Sequence, residues 1–480
     1  MSGWRDMTLG EFVALQRGHD LTEPQRRIGH VPVMGSAGQN GFHDTALAKG
    51  PGIVIGRSGA SFGQVHFSKE DFWPHNTGLY VTDFKGNDPL FAFYFLKALD
   101  FDRFNSGSAQ PSPNRNFIYP IPIRVPKPAE QKAIAAVLGA LDDKIELNRR
   151  MNATLEAMAR ALFQSWFVDF DPVRANMDRS ATGQPSPPAP LPLGEGGRRP
   201  GEGAAGLGRG SKDREKAKLP SPLGRRAGDE GAFGILDGRP PAALDPATAA
   251  LFPASFDDSA LGHIPKGWEV KTIEELAERV AMGPFGSDIK VSTFVPEGIP
   301  VVSGQHLRGT LLDDSEFNFV SVEHANRLRR SNVQRGDVIF THAGSIGQVA
   351  YIPEASRYER YIVSRRQFYM RCNRALVSPF YITSYFKTPE GQHRLLANTS
   401  STGVPSISQP VTYLRQLKMI VPPPALLKVF DTTVSEIHLK ITANLQQSRT
   451  LATLRDTLLP KLLSGELSVA ETTSRIGEAL

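Results

Sequence analysis

Residue types that could carry catalysis are present in this chain, but not in the arrangements that catalysis needs. Asp142-Asp143 and the pair Asp169/Asp171 lie in or beside a long helical pattern, where we interpret them as solvated charges. The chain has no G-x-x-x-x-G-K-[ST] phosphate loop and no H-E-x-x-H zinc motif. It also lacks an Asn-Pro-Pro-Tyr type run of the kind that amino-methyltransferases use. The sequence therefore predicts no catalytic and no metal-ligating residues.

Two Gly-rich turns are better candidates for function. Gly52–Phe67 and Gly336–Tyr351 each combine a predicted buried strand, a Gly-rich turn and a second strand. Polar side chains and free backbone N–H groups on such turns suit contacts with phosphates or bases. The candidate DNA contacts, in these turns and in two further segments, are Arg57, Ser58, Ser61, Gln64, Asn76, Gln305, Thr341, His342, Ser345 and Gln348.

A second interpretation applies to the run Gly-Gln-Val, which is shared at 63–65 and at 347–349. In that interpretation both copies keep the run only because the fold requires it. A gapless alignment of the two turns sets Arg57 against Thr341 and Ser58 against His342. Residues that differ between the turns are better candidates for base discrimination. Residues that are equal are better candidates for architecture or phosphate contact.

The turns belong to a longer internal repeat. Gly3-Trp4 with Thr8 and Glu11 is matched by Gly267-Trp268 with Thr272 and Glu275, and Ile123–Pro126 is matched by Met419–Pro422. The separation between matches increases along the chain, which insertions in the second copy explain. Three matches in the same order indicate a duplication.

A heptad pattern of apolar residues follows each copy and predicts two long helices. The first seam consists of Ile134, Leu138, Leu141, Ile145, Asn148, Asn152, Leu155, Ala159, Leu162 and Trp166. The second keeps the same phase, with Phe430, Val434, Ile437, Ile441, Asn444, Ser448, Leu451, Arg455, Leu458 and Leu462. A single helix cannot bury such a stripe, so we expect the two to pack on each other.

Four polar residues, Asn148, Asn152, Asn444 and Ser448, lie near the middle of the two seams. In an antiparallel pair they would meet, and each copy would then lie at one end of the pair. Buried Asn at such positions fixes helix register at a cost in stability. The alternative is that these residues are exposed because the seam is imperfect.

Composition sets broad limits on the chain. Its 480 residues fit two domains with connecting elements. A formal charge of +6 and a pI of about 9.3 permit a polyanionic partner without identifying one. Cys372 is the only cysteine, no apolar run has the length of a membrane helix, and no secretory signal is recognised. We expect a cytoplasmic protein that does not contact a membrane.

The segment between the copies is rich in Pro, Gly and Arg from about 180 to 234, and we expect it to be disordered. Its basic stretch Lys212–Lys218 is a candidate for phosphate contact or, alternatively, a solvated run of linker charges. The expected organisation is domain 1 at 1–126, helix 1 at 127–171, a linker at 172–262, domain 2 at 263–421, helix 2 at 422–465 and a flexible tail at 466–480.

Several segments together resemble the specificity subunit of type I restriction–modification systems. These segments are Val31–Asp44, the Gly-rich turn, Trp73–Val81, Gly107–Phe117, Ala161–Val173, Phe252–Glu269 and Leu454–Leu467. The resemblance covers nearly the whole chain apart from about 180–234. That segment lies where the family has a short connector.

The resemblance implies an α+β fold with two target-recognition domains, each with a twisted sheet, separated by two long helices in an antiparallel coiled coil. It implies a non-catalytic subunit that binds a bipartite, asymmetric sequence in double-stranded DNA. Two methyltransferase subunits and two motor-nuclease subunits would be its partners. The partners would use S-adenosylmethionine, ATP and Mg²⁺, and this chain would bind no cofactor. The alternative from another class is a coiled-coil scaffold with two heads that bind protein or glycan.

Overall fold

The computed structural model of the chain describes residues 4–57, 59–101, 118–182, 244–286, 288–314, 316–400, 403–470 and 472. They form two compact units: Met1–Ala153 with Ile441–Leu480, and Thr154–Lys440. Nearly all of the predicted disordered segment lies outside the described residues. So do the stretch Lys212–Lys218, the segment Gly107–Phe117 and the candidate contact Ser58.

The first unit contains domain 1 and parts of both long helices. Its strands are β1 (Trp4–Thr8), β2 (Ala14–Arg17), β3 (Val31–Gly35), β4 (Gly38–His43), β5 (Gly52–Gly56), β6 (Val65–Ser68), β7 (Trp73–Pro74), β8 (Gly78–Asp83) and β9 (Pro122–Pro126). Its helices are α1 (Leu9–Phe12), α2 (Pro89–Ala98) and the first part of α3 (Pro128–Phe167).

The central sheet of domain 1 has four antiparallel strands in the order β2-β8-β5-β6. The predicted strand β5 is buried along its whole length, as a short apolar run between glycines favours. Its hairpin with β6 confirms the predicted strand, turn and strand. A second sheet has the order β4-β3-β7, with β3 and β7 parallel.

The second unit contains the end of α3, domain 2 and the start of the second long helix. Its further helices are α4 (Asp171–Ala181), α5 (Pro246–Ala249), α6 (Ile273–Leu276), α7 (Val322–Arg327), α8 (Pro379–Lys387), α9 (Pro389–Leu396), α10 (Pro410–Gln416) and α11 (Pro424–Ser464). Its strands before the second glycine turn are β10 (Phe256–Ser259), β11 (Gly262–Pro265), β12 (Glu269–Thr272), β13 (Ala277–Met282), β14 (Phe294–Val295), β15 (Ile299–Val302), β16 (Asn318–Val320) and β17 (Asn332–Gln334). The remaining strands are β18 (Val338–Thr341), β19 (Val349–Tyr351), β20 (Arg360–Val363), β21 (Gln367–Cys372), β22 (Thr399–Ser400), β23 (Ser406–Ile407) and β24 (Lys418–Val421).

Domain 2 repeats the central sheet of domain 1. Four antiparallel strands lie in the order β13-β21-β18-β19, which is the order of β2-β8-β5-β6. Beside it a five-stranded sheet has the order β14-β16-β15-β20-β17, and its parallel pair β15–β20 corresponds to β3–β7. The chain therefore has a mixed α and β fold built on a duplicated domain.

The starts of the two domains are the same local structure. The Thr8 hydroxyl accepts the Glu11 backbone N–H at 3.3 Å, and the Glu11 carboxylate accepts the Thr8 backbone N–H at 2.7 Å. Thr272 and Glu275 form the same capping box at the same two distances. The strand before each box pairs with the strand that leads into the next long helix, as β1–β9 and as β12–β24. These pairs confirm the matches that were read from the sequence.

The predicted helix seams are confirmed by burial, since no seam position is fully exposed. Within the first unit, the start of α3 packs antiparallel to the end of α11, and Leu138 and Leu458 join the core that also contains Ile55 and Phe91. Within the second unit, the Phe163 ring at the end of α3 lies 5.9 Å from the Phe430 ring at the start of α11.

The predicted linker contains regular structure on both sides of residues 183–243. Helix α4 begins at Asp171, one residue before the predicted linker, α5 lies inside 172–262, and the hairpin β10–β11 ends at Pro265, beyond the predicted boundary. The Asn176 side-chain amide donates to the carbonyl oxygens of Ala249 at 3.0 Å and Phe252 at 2.8 Å. These bonds hold together the two ends of the chain that flank residues 183–243. Burial of Pro172 and Val173 against the second unit supplies the apolar contact that α4 needs.

Candidate nucleic-acid interface

The glycine turn of domain 1, residues 57–64, joins β5 to β6. The Gly56 N–H donates to the Gln64 carbonyl at 2.8 Å, and the Gly63 N–H donates to the Gly56 carbonyl at 3.0 Å. A Cβ atom at Gly56 would lie 1.9 Å from the Ser61 carbonyl oxygen. Only glycine fits there, so Gly56 serves the architecture of the turn.

A second turn lies against the glycine turn. The β7–β8 turn, residues 75–77, contains the candidate Asn76. The Arg57 N–H donates to the Thr77 carbonyl at 3.1 Å, which brings Arg57 and Asn76 onto adjoining turns. The Asn76 N–H donates to the His19 carbonyl at 2.9 Å, and its side-chain amide donates to the Asp20 carboxylate.

Domain 2 repeats this arrangement. In its glycine turn, residues 342–348, the Thr341 N–H donates to the Gln348 carbonyl at 3.0 Å, and the Gly347 N–H donates to the Thr341 carbonyl at 3.3 Å. The His342 N–H donates to the Arg366 carbonyl at 2.9 Å. Arg366 belongs to the β20–β21 turn, residues 364–366. Two adjoining turns therefore occupy corresponding edges of both central sheets.

Backbone pairing corrects the gapless alignment of the two glycine turns. Val65 pairs with Ile55 in domain 1, whereas the matching Val349 pairs with Phe340. The turn of domain 2 is thus one residue shorter, and Gly56 corresponds to Thr341. Arg57 therefore corresponds to His342, and not to Thr341 as the sequence alignment gave. The matching bonds from Arg57 to Thr77 and from His342 to Arg366 support the same register.

Gly18 and Gly283 occupy corresponding positions in the two domains, and the sequence comparison does not predict this. The Gly18 N–H donates to the Gly78 carbonyl at 3.0 Å, and the Gly283 N–H donates to the Gln367 carbonyl at 2.8 Å. A Cβ atom added at Gly18 would lie 2.1 Å from the His75 carbonyl oxygen, and one added at Gly283 would lie 2.0 Å from the Ser364 carbonyl oxygen. The backbone of each second turn therefore passes directly over a glycine.

This correspondence identifies two residues that sequence reasoning did not select. With His75 matched to Ser364, Asn76 corresponds to Arg365 and Thr77 to Arg366. Both arginines are exposed. The signal that could have found them is the adjacent pair Arg365-Arg366, one residue after the buried strand β20.

The candidate contacts differ in how accessible they are. Gln64, Ser345 and Gln305 are exposed, and Arg57, Ser61, Asn76, His342 and Gln348 are half-buried. Thr341 is only 2% exposed, and its hydroxyl is bonded to the side chains of Gln348 and Gln367. The Thr341 side chain therefore has almost no exposed surface with which to make the predicted contact with DNA. A Cβ atom at Gly304 would lie 2.9 Å from Gln348 Oε1, so Gln348 also packs against the turn that carries Gln305.

His342 has a contact of its own within the domain. Its ring Nε2 lies 3.0 Å from the Arg365 carbonyl oxygen, which only accepts, so Nε2 is the protonated donor. The ring therefore holds the β20–β21 turn in place. We expect His342 to act by positioning this turn.

The polar seam residues meet inside the first unit. The Asn148 side-chain amide donates to the Asn444 carbonyl at 3.3 Å, to Gln447 Oε1 at 2.9 Å and to Ser448 Oγ at 3.2 Å. The Asn444 amide donates to Asn152 Oδ1 at 2.8 Å. Burial of the three asparagines does not fit the alternative of exposed residues in an imperfect seam. The role of these bonds in fixing register stays a prediction.

The described residues contain no group of three or more His, Cys, Asp or Glu side chains placed to hold a metal ion. Among the helices that the structure describes, none combines the length and the apolar composition of a membrane span.

The chain is similar in sequence to known proteins of type I restriction–modification systems. Residues 1–157 match the family model of the type I restriction modification DNA specificity domain. The chain is 25% identical over 352 residues to the type I restriction enzyme HindI specificity subunit of Haemophilus influenzae, covering 72% of this chain and 69% of that protein. It is 22% identical over 435 residues to the MjaIX specificity subunit of Methanocaldococcus jannaschii, covering 88% of this chain and 78% of that protein.

A solved structure shares the fold over most of its length. The type I restriction–modification S subunit from M. genitalium superposes with a TM-score of 0.51 at 14% identity, and the match covers 96% of each chain. Over most of its length the chain is therefore similar to specificity subunits of type I restriction–modification systems, and its first 157 residues match the family model of the DNA specificity domain.

Proposed function

We propose that this chain binds a bipartite, asymmetric sequence in double-stranded DNA and directs methyltransferase and motor-nuclease subunits to it, without catalysing a reaction itself. Domain 1 would read one half-site and domain 2 the other. The observation that carries this proposal is the pair of adjoining turns, which repeats in both domains with corresponding backbone hydrogen bonds but with different side chains. A protein that binds an asymmetric DNA sequence through two similar domains needs that combination. The backbone arrangement can stay the same while the side chains that contact bases differ between the domains.

The remaining parts of the proposal concern partners and cofactors. We expect two methyltransferase subunits and two motor-nuclease subunits in the complete complex, located in the cytoplasm. S-adenosylmethionine, ATP and Mg²⁺ would be bound by those subunits, and this chain would bind no cofactor. Phosphate contacts would position each domain, and groove contacts would read a few base pairs.

The test is to sequence methylated DNA from the host with and without this gene. Loss of one bipartite motif on deletion, and its return when the gene is restored, is the expected result. Exchange of residues 1–126 for the corresponding domain of another family member should change one half-site only. A change in both half-sites would contradict the modular reading.

The long helices are expected to set the spacer between the half-sites. Half-site centres about one turn of DNA apart, roughly 10 bp, would lie on one face of the duplex. Equal insertions in α3 and α11 should lengthen the undefined spacer and leave both half-sites unchanged. An altered half-site with an unchanged spacer would contradict this role.

A further inference from the structure

The corresponding turns of the two domains carry their positive charge at opposite places. In domain 1, Arg57 lies on the glycine turn and the neutral Asn76 on the β7–β8 turn. In domain 2, His342 takes the place of Arg57, and Arg365 takes the place of Asn76. Each domain thus presents a guanidinium at the same edge of its central sheet, but from a different turn.

The two arginines of the β20–β21 turn are free to bind a ligand. Within the part of the chain that the structure describes, neither guanidinium has a hydrogen bond or an ion pair. The other arginines on or just after β21 differ, since Arg371 is paired with Asp337 and Arg374 with Glu354. Both Arg365 and Arg366 are exposed.

The backbone beneath these arginines is fixed by several bonds. The Gln367 N–H donates to the Ser364 carbonyl at 3.0 Å, and the Ser364 N–H donates to the Val302 carbonyl at 2.8 Å. His342 bonds the carbonyl of Arg365 through its ring and that of Arg366 through its N–H. A turn held this way can present side chains at a defined place, as base readout requires.

The glycine turn also leaves room for one of the guanidinium groups. Gly344 has a φ of +84°, and a Cβ atom there would lie 3.3 Å from Arg366 Nη1. The Gly344 N–H is bonded to the Pro405 carbonyl at 3.1 Å, so this part of the turn is held as well. The Arg366 guanidinium therefore lies alongside backbone of fixed position.

We propose that Arg365 and Arg366 are specificity-determining residues of domain 2 and read guanine in the half-site that this domain binds. This inference rests on the proposed function. The planar guanidinium fork matches the O6 and N7 acceptors of guanine in the major groove, and no other base offers that pair of acceptors. The neutral Asn76 at the place of Arg365 leaves domain 1 with a different pattern, as an asymmetric target requires.

The test compares variants of the complete gene in a host from which the gene has been deleted. Arg365→Lys and Arg366→Lys keep the charge but lose the bidentate fork, while Arg365→Ala and Arg366→Ala lose both. Arg374→Ala is the matched control, because Arg374 is exposed just beyond the opposite end of β21. The readouts are the methylated motif and the affinity of the assembled complex for DNA duplexes that differ at single base pairs.

We expect a guanine position in one half-site to become degenerate in the Ala and Lys variants of at least one arginine. Discrimination at that position should fall by roughly 5- to 150-fold, which corresponds to the loss of one bidentate contact. The other half-site and the Arg374→Ala motif should stay unchanged. The altered half-site should be the one that changes when residues 263–421 are exchanged.

Two results would overturn the inference and leave the proposed function intact. One is an unchanged motif in all four variants. The other is that the Ala variants lose the same affinity for every duplex, with a shallower salt dependence, and that the Lys variants restore it. That is the behaviour expected of phosphate contacts. Failure of the unsubstituted gene to restore any bipartite motif would contradict the proposed function itself. The Lys variants keep the test informative if an Ala variant does not fold.

Discussion

The Asn444 side-chain amide donates a hydrogen bond of 2.8 Å to Asn152 Oδ1, between the two long helices of the first unit. Both residues are buried, at 3% and 9% exposure. Asn148, one helical turn earlier, donates to the Asn444 carbonyl and to Ser448. A shift of one helix along the other would break these bonds together. That is the property expected of residues that specify register.

Removing one member of this pair should be more damaging than removing both. Asn444→Leu leaves Asn152 Oδ1 buried without its donor, at a cost of about 1–3 kcal/mol in the free energy of unfolding. The double variant Asn152→Leu/Asn444→Leu should recover part of that loss, because no unsatisfied group remains between those positions. Denaturant unfolding of the complete chain measures both, and Gln446→Ala, at an exposed position of α11, is the control. A single variant as stable as the parent would exclude an energetic role for the bond.

The buried ion pair of domain 2 should be essential for its stability. Asp337 is 1% exposed, and its carboxylate accepts two hydrogen bonds from the Arg371 guanidinium at 2.8 and 2.7 Å. Asp337→Ala leaves the arginine without its partner and should cost about 3–5 kcal/mol. Glu354→Ala breaks the exposed pair with Arg374 and should cost less than about 1 kcal/mol. Thermal unfolding of both variants tests the contrast, and equal losses would contradict it.

Removal of residues 183–243 should leave recognition unchanged. The flanking helices α4 and α5 lie together in the second unit, where Asn176 bonds to Ala249 and Phe252. A short Gly-Ser connector can therefore replace the segment at a small cost in loop closure. We expect the shortened gene to restore the same methylated motif, with a melting temperature close to that of the complete chain. A changed motif would show that the segment takes part in recognition.

The sequence predicted the parts of this fold that depend on local periodicity. The helix seams follow from a repeat of 3.5 residues. Asn148 and Asn444 occupy the same position in the two heptad patterns, so they lie at the same level when the helices pack antiparallel. The β5–β6 hairpin follows from an apolar run, glycines and a second run. Gln447 was not predicted, because it lies beside the seam and reaches Asn148 only through its long side chain.

The parts that depend on pairing between distant strands were not predictable. Identical residues at 63–65 and 347–349 favoured a gapless alignment, although the second turn is one residue shorter. The equivalence of Gly18 with Gly283 is visible only when each strand is placed next to its neighbour, β8 or β21. Arg365 and His342 are separated by 23 residues in the sequence and meet only because β20 and β21 return the chain to the glycine turn.

Two groups on α11, the buried His438 and the half-buried Asp431, should give the second unit opposing responses to pH. His438 is 5% exposed, with its Nδ1 atom 2.7 Å from the Tyr351 hydroxyl oxygen, and burial lowers its pKa from 6.5 to about 4. Burial also raises the pKa of Asp431 from 3.8 to about 6. Unfolded His438 binds a proton that the folded state excludes, so its contribution to stability is lost as pH falls from 6.5 to 4. Folded Asp431 retains a proton that the unfolded state releases, so its contribution is present below pH 3.8 and lost as pH rises through 6.

Because these windows overlap, the two contributions should largely offset each other in the unsubstituted chain. Asp431→Asn should expose the histidine response, with the free energy of unfolding falling by on the order of 2–3 kcal/mol relative to the parent between pH 6.5 and 4. His438→Gln should show the opposite slope relative to the parent over the same range, since of these two groups only Asp431 then remains to titrate with a shifted pKa. Denaturant unfolding at several pH values measures both slopes. Parallel profiles for the two variants would mean that these groups do not titrate as buried residues.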